Sequence, residues 1–226
     1  DLPEKVYMKR IVSLTPEQLK AYTEMKKHAL TELEGKQTSA ASALAQLIRL
    51  HQITCGHLAT DDGEVKSLKN NRLNELLNIL EEIDGKVIIW AVYRHDIIQI
   101  GNTLKSKFGE QSVETFFGDT ADGDRQDIVS RFQDRDSDLR FFVGNPRTGG
   151  YGLTLTASHT VVYYSNSYDL EIRLQSEDRA HRISQKHKVT YIDLISEGTV
   201  DEFIVKNLRG KINLATKVLG EDLKRW

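Results

Sequence analysis

The pattern of apolar positions changes along the chain, and its second part alternates between two periods. From Gly85 onward, short apolar runs are separated by segments in which apolar residues recur about every 3.6 positions. Runs of about four to eight apolar residues are typical of buried strands, and the segments between them of amphipathic helices. This alternation predicts an α/β domain with a parallel sheet and helices on both faces. The predicted strands cover residues 87–92, 112–117, 139–143, 160–164 and 189–195.

The first part of the chain predicts one strand followed by helices. Residues 6–14 alternate loosely between apolar and polar positions, as a strand does. Thr15 and Pro16 then provide an N-cap and a first helical residue, and Gln18 completes a capping box. This helix is expected to run to about Leu33. Apolar spacing predicts two more helices, around residues 44–53 and 73–80, with a helix break at 35–39 and a hinge at 61–63.

The change of pattern divides the chain near residue 66. Residues 1–66 are expected to form a strand and a helical unit, and residues 67–226 the domain that holds the parallel sheet. A last helix should begin at Thr199, where Glu202 offers a second capping box, and should run toward Gly220.

Composition narrows the class of protein. Of the 226 residues, 39% are apolar, which suffices for an ordinary core, and no apolar run is long enough to span a membrane. The N-terminus lacks a signal-peptide pattern and Cys55 has no intrachain partner, so we expect a reducing compartment, cytoplasmic or nucleoid-associated. A net charge of −2 argues against a protein that is basic throughout. Any contact with nucleic acid should therefore be local.

Candidate chemistry is concentrated in residues 175–185, with the sequence QSEDRAHRISQ. If this segment is helical, Gln175, Arg179 and Arg182 fall within roughly one 60° sector and could hold an anion together. The alternative is a solvated helix face in which Asp178 and Arg182 form an ion pair of about 0.2–0.5 kcal/mol. His181 is expected to be a hydrogen-bonded structural residue.

A glycine-rich segment lies about 30 residues upstream. It follows the predicted strand 139–143 and places Gly149, Gly150 and Gly152 within four positions. Glycine lets backbone amides approach a phosphate because no Cβ stands in the way. The competing interpretation is a tight turn without a ligand.

Together, and in this order, the two segments resemble motifs V and VI of the Swi/Snf-type ATPases, the chromatin-remodeller branch of the superfamily two helicases. Residues 86–94 look like motif IV of that family, and residues 117–120, with Arg125 and Phe132, are similar to its Gly-x-Thr segment. Residues 14–18 and 50–57 look like the connection between the two lobes of the family. Departures from the family pattern occur at Thr148, Thr154 and Ser184.

The resemblance implies a RecA-like C-terminal lobe preceded by the helical inter-lobe connector, part of a DNA-dependent ATPase and translocase. The chain has no Gly-x-x-x-x-Gly-Lys-Ser/Thr loop and no Asp-Glu-x-His-type carboxylate pair, so it should not hydrolyse ATP alone. The expected partners are duplex DNA and the N-terminal RecA-like lobe of the same protein. That lobe would bind most of the ATP and Mg²⁺.

The resemblance also implies roles for individual residues. Arg179 and Arg182 would be arginine fingers, which stabilise the charge that develops during phosphoryl transfer. The implied nucleotide-binding residues are Gln175, Gly150 and Gly152. The implied nucleic-acid-binding residues are Arg94, Gly118, Thr120, Arg125, Arg147, Thr148 and Gly149. No group of His, Cys, Asp or Glu residues in the sequence has the spacing of a metal site.

Two other functions are compatible with parts of the pattern. The missing phosphate-binding loop favours a stand-alone, non-catalytic RecA-like module that binds nucleic acid or protein, although a pure binder would not need the arginine pair. A Rossmann-like enzyme would use Gly149–Gly152 for a cofactor, but this loop follows the third predicted strand of the domain rather than the first, where a Rossmann fold has its phosphate-binding turn.

Overall fold

A six-stranded parallel sheet organises the fold, as the apolar pattern predicts. The computed structural model describes residues 2–34, 40–60, 62–148 and 152–223. In it the strands are β1 Lys5–Ile11, β2 His57–Ala59, β3 Val65–Ser67, β4 Val87–Trp90, β5 Val113–Phe116, β6 Phe141–Gly144, β7 Thr160–Tyr163 and β8 Val189–Ile195. The main sheet has the order β1-β8-β7-β4-β6-β5, and β2 pairs with β3 in a separate antiparallel hairpin.

Helices cover both faces of the main sheet. They are α1 Pro16–Glu34, α2 Ala40–Cys55, α3 Arg72–Glu82, α4 Arg94–Phe108, α5 Asp122–Gln133, α6 Leu170–Glu177 and α7 Val200–Leu223. All four residues of β4 are buried. Since successive side chains of a strand point to opposite faces, β4 is covered on both sides. Val87 and Ile89 pack in the core that holds α3 and α4, whereas Ile88 and Trp90 pack in the core that holds α5. The fold is therefore the predicted α/β architecture.

The N-terminal helices form a smaller core of their own. Tyr22 of α1 packs with Leu50 and Ile53 of α2. The predicted capping box of α1 is confirmed: the backbone N–H of Gln18 donates to Oγ1 of Thr15 at 3.2 Å, and the Thr15 N–H donates to Oε1 of Gln18 at 3.0 Å. The predicted helix break at 35–39 lies outside the described residues.

The segment between α2 and α3 differs from the prediction of a plain hinge. It contains the hairpin β2–β3, closed by a hydrogen bond of 2.8 Å from the Thr60 N–H to the Glu64 carbonyl. Strands of three residues are too short for their periodicity to be recognised in a sequence. Asp61 of the predicted hinge lies outside the described residues.

Strand β1 is an edge strand of the main sheet. It pairs in parallel with β8, with Lys5 opposite Val189 and Ile11 opposite Ile195. The division of the chain near residue 66 stays a prediction. In the part that the structure describes, no helix is long and apolar enough to cross a membrane.

Two local predictions about helices are wrong. Residues 175–185 are not one helix, because α6 ends at Glu177 and turns follow. At the start of α7, Thr199 accepts a hydrogen bond from the Asp201 N–H at 3.2 Å, and Glu202 accepts from the Gly198 N–H at 3.1 Å. The reciprocal pair of a capping box is therefore absent there, and Oγ1 of Thr199 donates to the Ser196 carbonyl instead.

Candidate nucleotide and nucleic-acid site

The two candidate arginines lie on a turn that follows α6, which we call the arginine turn and define as residues 178–182. The turn doubles back because Ala180 is fully buried against the sheet and the Arg179 carbonyl accepts a hydrogen bond from the Leu155 N–H at 2.9 Å. Burying Ala180 and pairing with the segment before β7 both favour the turn over continued helix. Tertiary contacts thus override the helical pattern of the sequence.

Arg179 is a buried arginine that lies close to the charges of Arg182 and Asp178. The residue is 6% exposed, and its Nε has no hydrogen-bond partner among the described residues. Burial lowers the pKa of Arg179 below its ordinary value, and the neighbouring charge of Arg182 lowers it further. A guanidinium held in this way is stabilised by an incoming anion, because the anion supplies the missing charge and hydrogen-bond acceptors.

Arg182 connects the arginine turn to the glycine-rich segment. Its Nη1 donates to the Gly152 carbonyl at 3.2 Å and to Oγ1 of Thr154 at 2.9 Å. Its Nε donates to the carbonyl of Asp178 at 3.2 Å, so the expected pairing with the Asp178 carboxylate is replaced by a contact with the main chain. Gly152 has φ +65°, a conformation that favours glycine. The two motifs are therefore in direct contact.

The third predicted member of this site lies on α6, before the arginine turn. Gln175 is exposed on α6, and its amide donates to Oε1 of Glu171 one helical turn earlier at 3.0 Å. The expected single helix face that carries Gln175, Arg179 and Arg182 does not exist. Gly149 and Gly150, predicted to bind nucleic acid and nucleotide, lie outside the described residues.

The predicted nucleic-acid residues gather where β4, β6 and β5 end side by side. Arg94 begins α4 directly after β4, and its guanidinium pairs with the Asp119 carboxylate beyond the end of β5. The guanidinium also lies 5.8 Å from the centre of the Phe117 ring. Arg147 and Thr148 follow β6, which lies between β4 and β5, and Arg147 is exposed. Arg94 and Arg147 thus lie at one edge of the sheet, together with the Asp119 carboxylate.

The loop after β5 is held in shape from within. The Thr120 hydroxyl accepts a hydrogen bond from the Phe117 N–H at 3.0 Å and donates to the Thr115 carbonyl at 3.3 Å. Arg125 donates from Nε to the Thr120 carbonyl at 3.1 Å, and its guanidinium lies 5.5 Å from the Phe116 ring. Gly118 is exposed, with nothing within 4 Å of the place where a Cβ would stand. Backbone groups of this loop are thus open to a ligand, and Arg125 supports them.

Asn145 is a positioning residue that sequence reasoning missed. Its N–H donates to the Phe116 carbonyl at 3.0 Å and its Nδ2 to the Val92 carbonyl at 2.8 Å, while its Oδ1 accepts from the Arg147 N–H at 2.9 Å. Asn145 therefore ties together the ends of β4, β5 and β6 through its main-chain N–H and its side chain. The asparagine directly before a proline, at a strand end, was the signal for a turn of this kind.

A buried ionic cluster beneath α6 was also missed. Arg173 donates to Glu177 at 2.8 Å and to Asp193 of β8 at 2.6 Å, and its guanidinium lies 3.6 Å from the centre of the Tyr163 ring. Burial alone would raise the pKa of Asp193, but Arg173, Asn166 and Arg209 together lower it below its usual value. An aspartate inside the apolar run of β8 was the available signal, because a buried charge requires a partner.

A second buried cluster joins α3 to the N-terminal helices and α7. Arg72 pairs with Asp201 and donates to the carbonyls of Tyr164 at 2.6 Å and Leu194 at 3.1 Å. His51 lies 3.8 Å from Asp201, and burial lowers its pKa to about 4. Nothing in the spacing of these residues predicts the cluster.

The described residues bring together no group of three His, Cys, Asp or Glu side chains that could hold a metal ion. His181 makes a structural contact, since its Nε2 lies 2.6 Å from the Pro3 carbonyl oxygen.

Comparison with known proteins gives a consistent group. A family model described as the helicase conserved C-terminal domain matches residues 68–184. Among curated proteins, ATP-dependent helicase fft2 of Schizosaccharomyces pombe is 32% identical over 76% of this chain and 13% of its own length. The SWI/SNF chromatin-remodeling complex subunit snf22 of the same yeast is 26% identical over 97% of this chain and 14% of its own length. The human chromatin-remodeling ATPase INO80 is 35% identical over 72% and 10% respectively.

Solved structures agree with this grouping. The Sulfolobus solfataricus SWI2/SNF2 ATPase core in complex with dsDNA superimposes with a TM-score of 0.74 at 26% identity, over 94% of this chain and 45% of that one. The C-terminal part of the Fun30 ATPase domain superimposes with a TM-score of 0.75 at 18% identity, over 91% and 89%. The chain thus spans only a small part of the curated relatives it matches, and about half of the DNA-bound core.

Proposed function

The chain belongs to the helicase conserved C-terminal domain family, in its Swi/Snf form, and we propose that it supplies the catalytic arginines of a DNA-dependent ATPase motor. The observation that carries the proposal is Arg179, a buried guanidinium with no partner for its Nε among the described residues, three positions from Arg182. Such a group binds an anion well, and a nucleotide phosphate is the anion that a motor of this family provides.

In the proposed reaction the two arginines act across the cleft between two lobes. Phosphoryl transfer develops charge on the phosphate oxygens. A fixed guanidinium stabilises that charge and raises the reaction rate by about 10³–10⁵-fold in comparable enzymes. Arg179 and Arg182 would be the two fingers, and the bonds of Arg182 to Gly152 and Thr154 would hold its guanidinium in place. Gln175 and Gly150 would contact the nucleotide at the rim.

ATP and Mg²⁺ would be bound mainly by the N-terminal RecA-like lobe. The described part of this chain offers no group of three metal-ligating side chains, which is why we assign the metal to that lobe. The metal would neutralise phosphate charge there, and this chain's arginines would act on the opposite side of the nucleotide.

Duplex DNA is the proposed polymer along which the motor moves, and it would bind along the ends of β4, β5 and β6. Arg94 and Arg147 would meet phosphates as cations, and backbone groups at Gly118 and Thr120 would donate or accept hydrogen bonds. Thr148 and Gly149 would lie beside them, and Arg125 would support the loop. Contacts of this kind position a protein on DNA without reading its sequence. The contact between Arg182 and Gly152 would couple this surface to the nucleotide.

The test is ATP hydrolysis by the full-length protein that carries this chain, with and without duplex DNA. We expect DNA to stimulate turnover, and Arg182→Ala to lower kcat by about 10³-fold while DNA affinity stays nearly unchanged, since a finger acts only in the transition state. Arg182→Lys should not rescue, because an ammonium cannot reproduce the planar fork.

The exposed Arg135→Ala is the matched control for that experiment. If Arg182→Ala leaves turnover unchanged, or if the full-length protein has no ATPase activity, the alternative function as a non-catalytic binding module is supported instead.

A further inference from the structure

The base of the arginine turn is a carboxylate held by three donors from two directions. Glu177 is fully buried, and its Oε1 accepts a hydrogen bond from Nε of Arg173 at 2.8 Å. Its Oε2 accepts from the Tyr7 hydroxyl at 2.7 Å and from Nζ of Lys5 at 3.1 Å. Arg173 belongs to the same helix as Glu177. Lys5 and Tyr7 belong to β1, and Lys5 lies 172 positions from Glu177 in the sequence. Two side chains of the edge strand therefore donate hydrogen bonds to the residue directly before the arginine turn.

The main chain of Glu177 then shapes the turn. Its carbonyl accepts hydrogen bonds from the N–H groups of Ala180 and His181, both at 3.2 Å, and from the Tyr191 hydroxyl at 3.0 Å. At the far side of the turn, the His181 ring contacts the Pro3 carbonyl at 2.6 Å. Both sides of the turn are thus attached to the segment that contains β1.

Arg179 depends on this attachment for its direction. Its Nε makes no bond within the described residues, so the position of the guanidinium follows the backbone of the turn. Glu177 shares the guanidinium of Arg173, on the same helix, with Asp193. Lys5 and Tyr7 add two donors from β1, and their bonds help to fix where the Glu177 carboxylate lies. The Tyr7 ring is stacked on Tyr191 at 5.3 Å between ring centres, which holds the hydroxyl in place.

We propose that Lys5 and Tyr7 are positioning residues for the arginine fingers, acting through Glu177, an inference that rests on the proposed function. Movement of β1 would be transmitted to Arg179 through Glu177, because a buried hydrogen-bonded carboxylate cannot shift without breaking bonds that water cannot replace. Sub-ångström placement of a group that acts in the transition state has a large effect on rate.

The experiment compares Tyr7→Phe and Lys5→Met in the full-length protein with Tyr168→Phe. Tyr7→Phe removes only the hydroxyl and keeps the stacked ring. Tyr168→Phe is the matched control because it also removes one hydroxyl, which donates to the Leu47 carbonyl at 3.4 Å, away from Glu177. We expect Tyr7→Phe and Lys5→Met each to lower kcat about tenfold, less than the roughly 10²-fold cost of a 1 Å misplacement. KM for ATP and DNA affinity should stay near those of the parent, while Tm should fall by a few degrees because each variant removes a hydrogen bond to a buried carboxylate.

A second readout measures the turn itself. Hydrogen exchange of the Ala180 and His181 amides should be faster in Tyr7→Phe and unchanged in Tyr168→Phe, because those amides bond to the Glu177 carbonyl. An unchanged kcat in both β1 variants, beside a large loss in Arg182→Ala, would overturn this proposal and leave the proposed function standing. An equal loss of kcat in Tyr168→Phe would overturn it as well. Failure of Arg182→Ala to change kcat would instead overturn the function on which it rests.

Discussion

Arg179 and Arg182 are three positions apart, yet their side chains differ in burial and in hydrogen bonding. Arg182 is partly exposed and donates three hydrogen bonds, two of them to main-chain carbonyls. Arg179 is buried, and its pKa is lowered by burial and by the charge of Arg182. A buried charge without a partner destabilises the folded state, so its presence indicates a benefit other than stability.

Replacing Arg179 with methionine should separate stability from activity. Methionine keeps the bulk of the side chain and removes the uncompensated charge, so we expect the free energy of unfolding to stay equal or rise by about 1 kcal/mol. In the full-length protein the same substitution should lower kcat by more than about 10²-fold. Thermal unfolding and turnover of the two proteins check this.

Arg173→Met is the control for that substitution. Arg173 is equally buried but paired with Glu177 and Asp193, so its loss should cost about 3–5 kcal/mol. A similar loss of stability in Arg179→Met would mean that Arg179 is a structural residue.

At the scale of elements, the first residue of α3 joins the N-terminal helices to the sheet. Arg72 is 1% exposed and reaches the Thr54 carbonyl at the end of α2, the ends of β7 and β8, and Asp201 at the start of α7. Thr54 in turn donates to Asp201 at 2.6 Å. Five elements, α2, α3, β7, β8 and α7, thus meet at one ion pair, and their relative positions depend on it.

Arg72→Met should destabilise the chain by about 3–5 kcal/mol, because it leaves the Asp201 carboxylate buried without its main partner. Adding Asp201→Asn should recover part of the loss, since the uncompensated charge is then removed. Urea unfolding of the single and double variants measures both effects, with Arg135→Met as an exposed control. A loss below about 1 kcal/mol in Arg72→Met would show that the helices hold their positions without this pair.

At the scale of the whole molecule, stability should fall as the pH drops from 7 to 5. Burial lowers the pKa of His51 to about 4, whereas an unfolded histidine titrates near 6.5. Between these values the unfolded state binds the proton and the folded state does not, so the stability present above pH 6.5 is lost on acidification. The expected loss is about 2 kcal/mol between pH 7 and pH 5.

Urea unfolding at several pH values tests this expectation. His51→Gln should flatten the dependence in that window, whereas His187→Gln, which removes an exposed imidazole, serves as the control. A slope that His51→Gln leaves unchanged would assign the dependence to other groups.

Binding of duplex DNA by this chain should be weak and depend strongly on salt. The chain carries a net charge of −2, and its candidate phosphate contacts are few. With about two to three phosphates met, the slope of log K against log salt should be about −2 to −3. Arg147→Ala should reduce the slope by about 1 and weaken binding to all sequences alike. Nanomolar binding that persists at high salt, or preference for one sequence, would contradict this.

The sequence by itself determined the α/β class, the positions of the six strands of the main sheet, and the resemblance to Swi/Snf-type ATPases, all of which are confirmed. These features depend on local patterns: apolar periodicity fixes a strand or helix, and glycine, proline and capping residues fix its ends. The capping box at Thr15 was predictable for the same reason. The residues assigned to nucleotide and DNA remain predictions.

Only the tertiary structure decided that α6 ends at Glu177, that β1 joins the main sheet, and that Nε of Arg179 is buried with no hydrogen-bond partner among the described residues. Each depends on contacts between residues far apart in sequence: Tyr7 and Glu177 are separated by 170 positions. Local propensity favours continuing the helix after Glu177 by a few tenths of a kcal/mol per residue. Burial of Ala180 and the hydrogen bonds to β1 and to the segment before β7 outweigh that preference, and no pattern within the segment reports them.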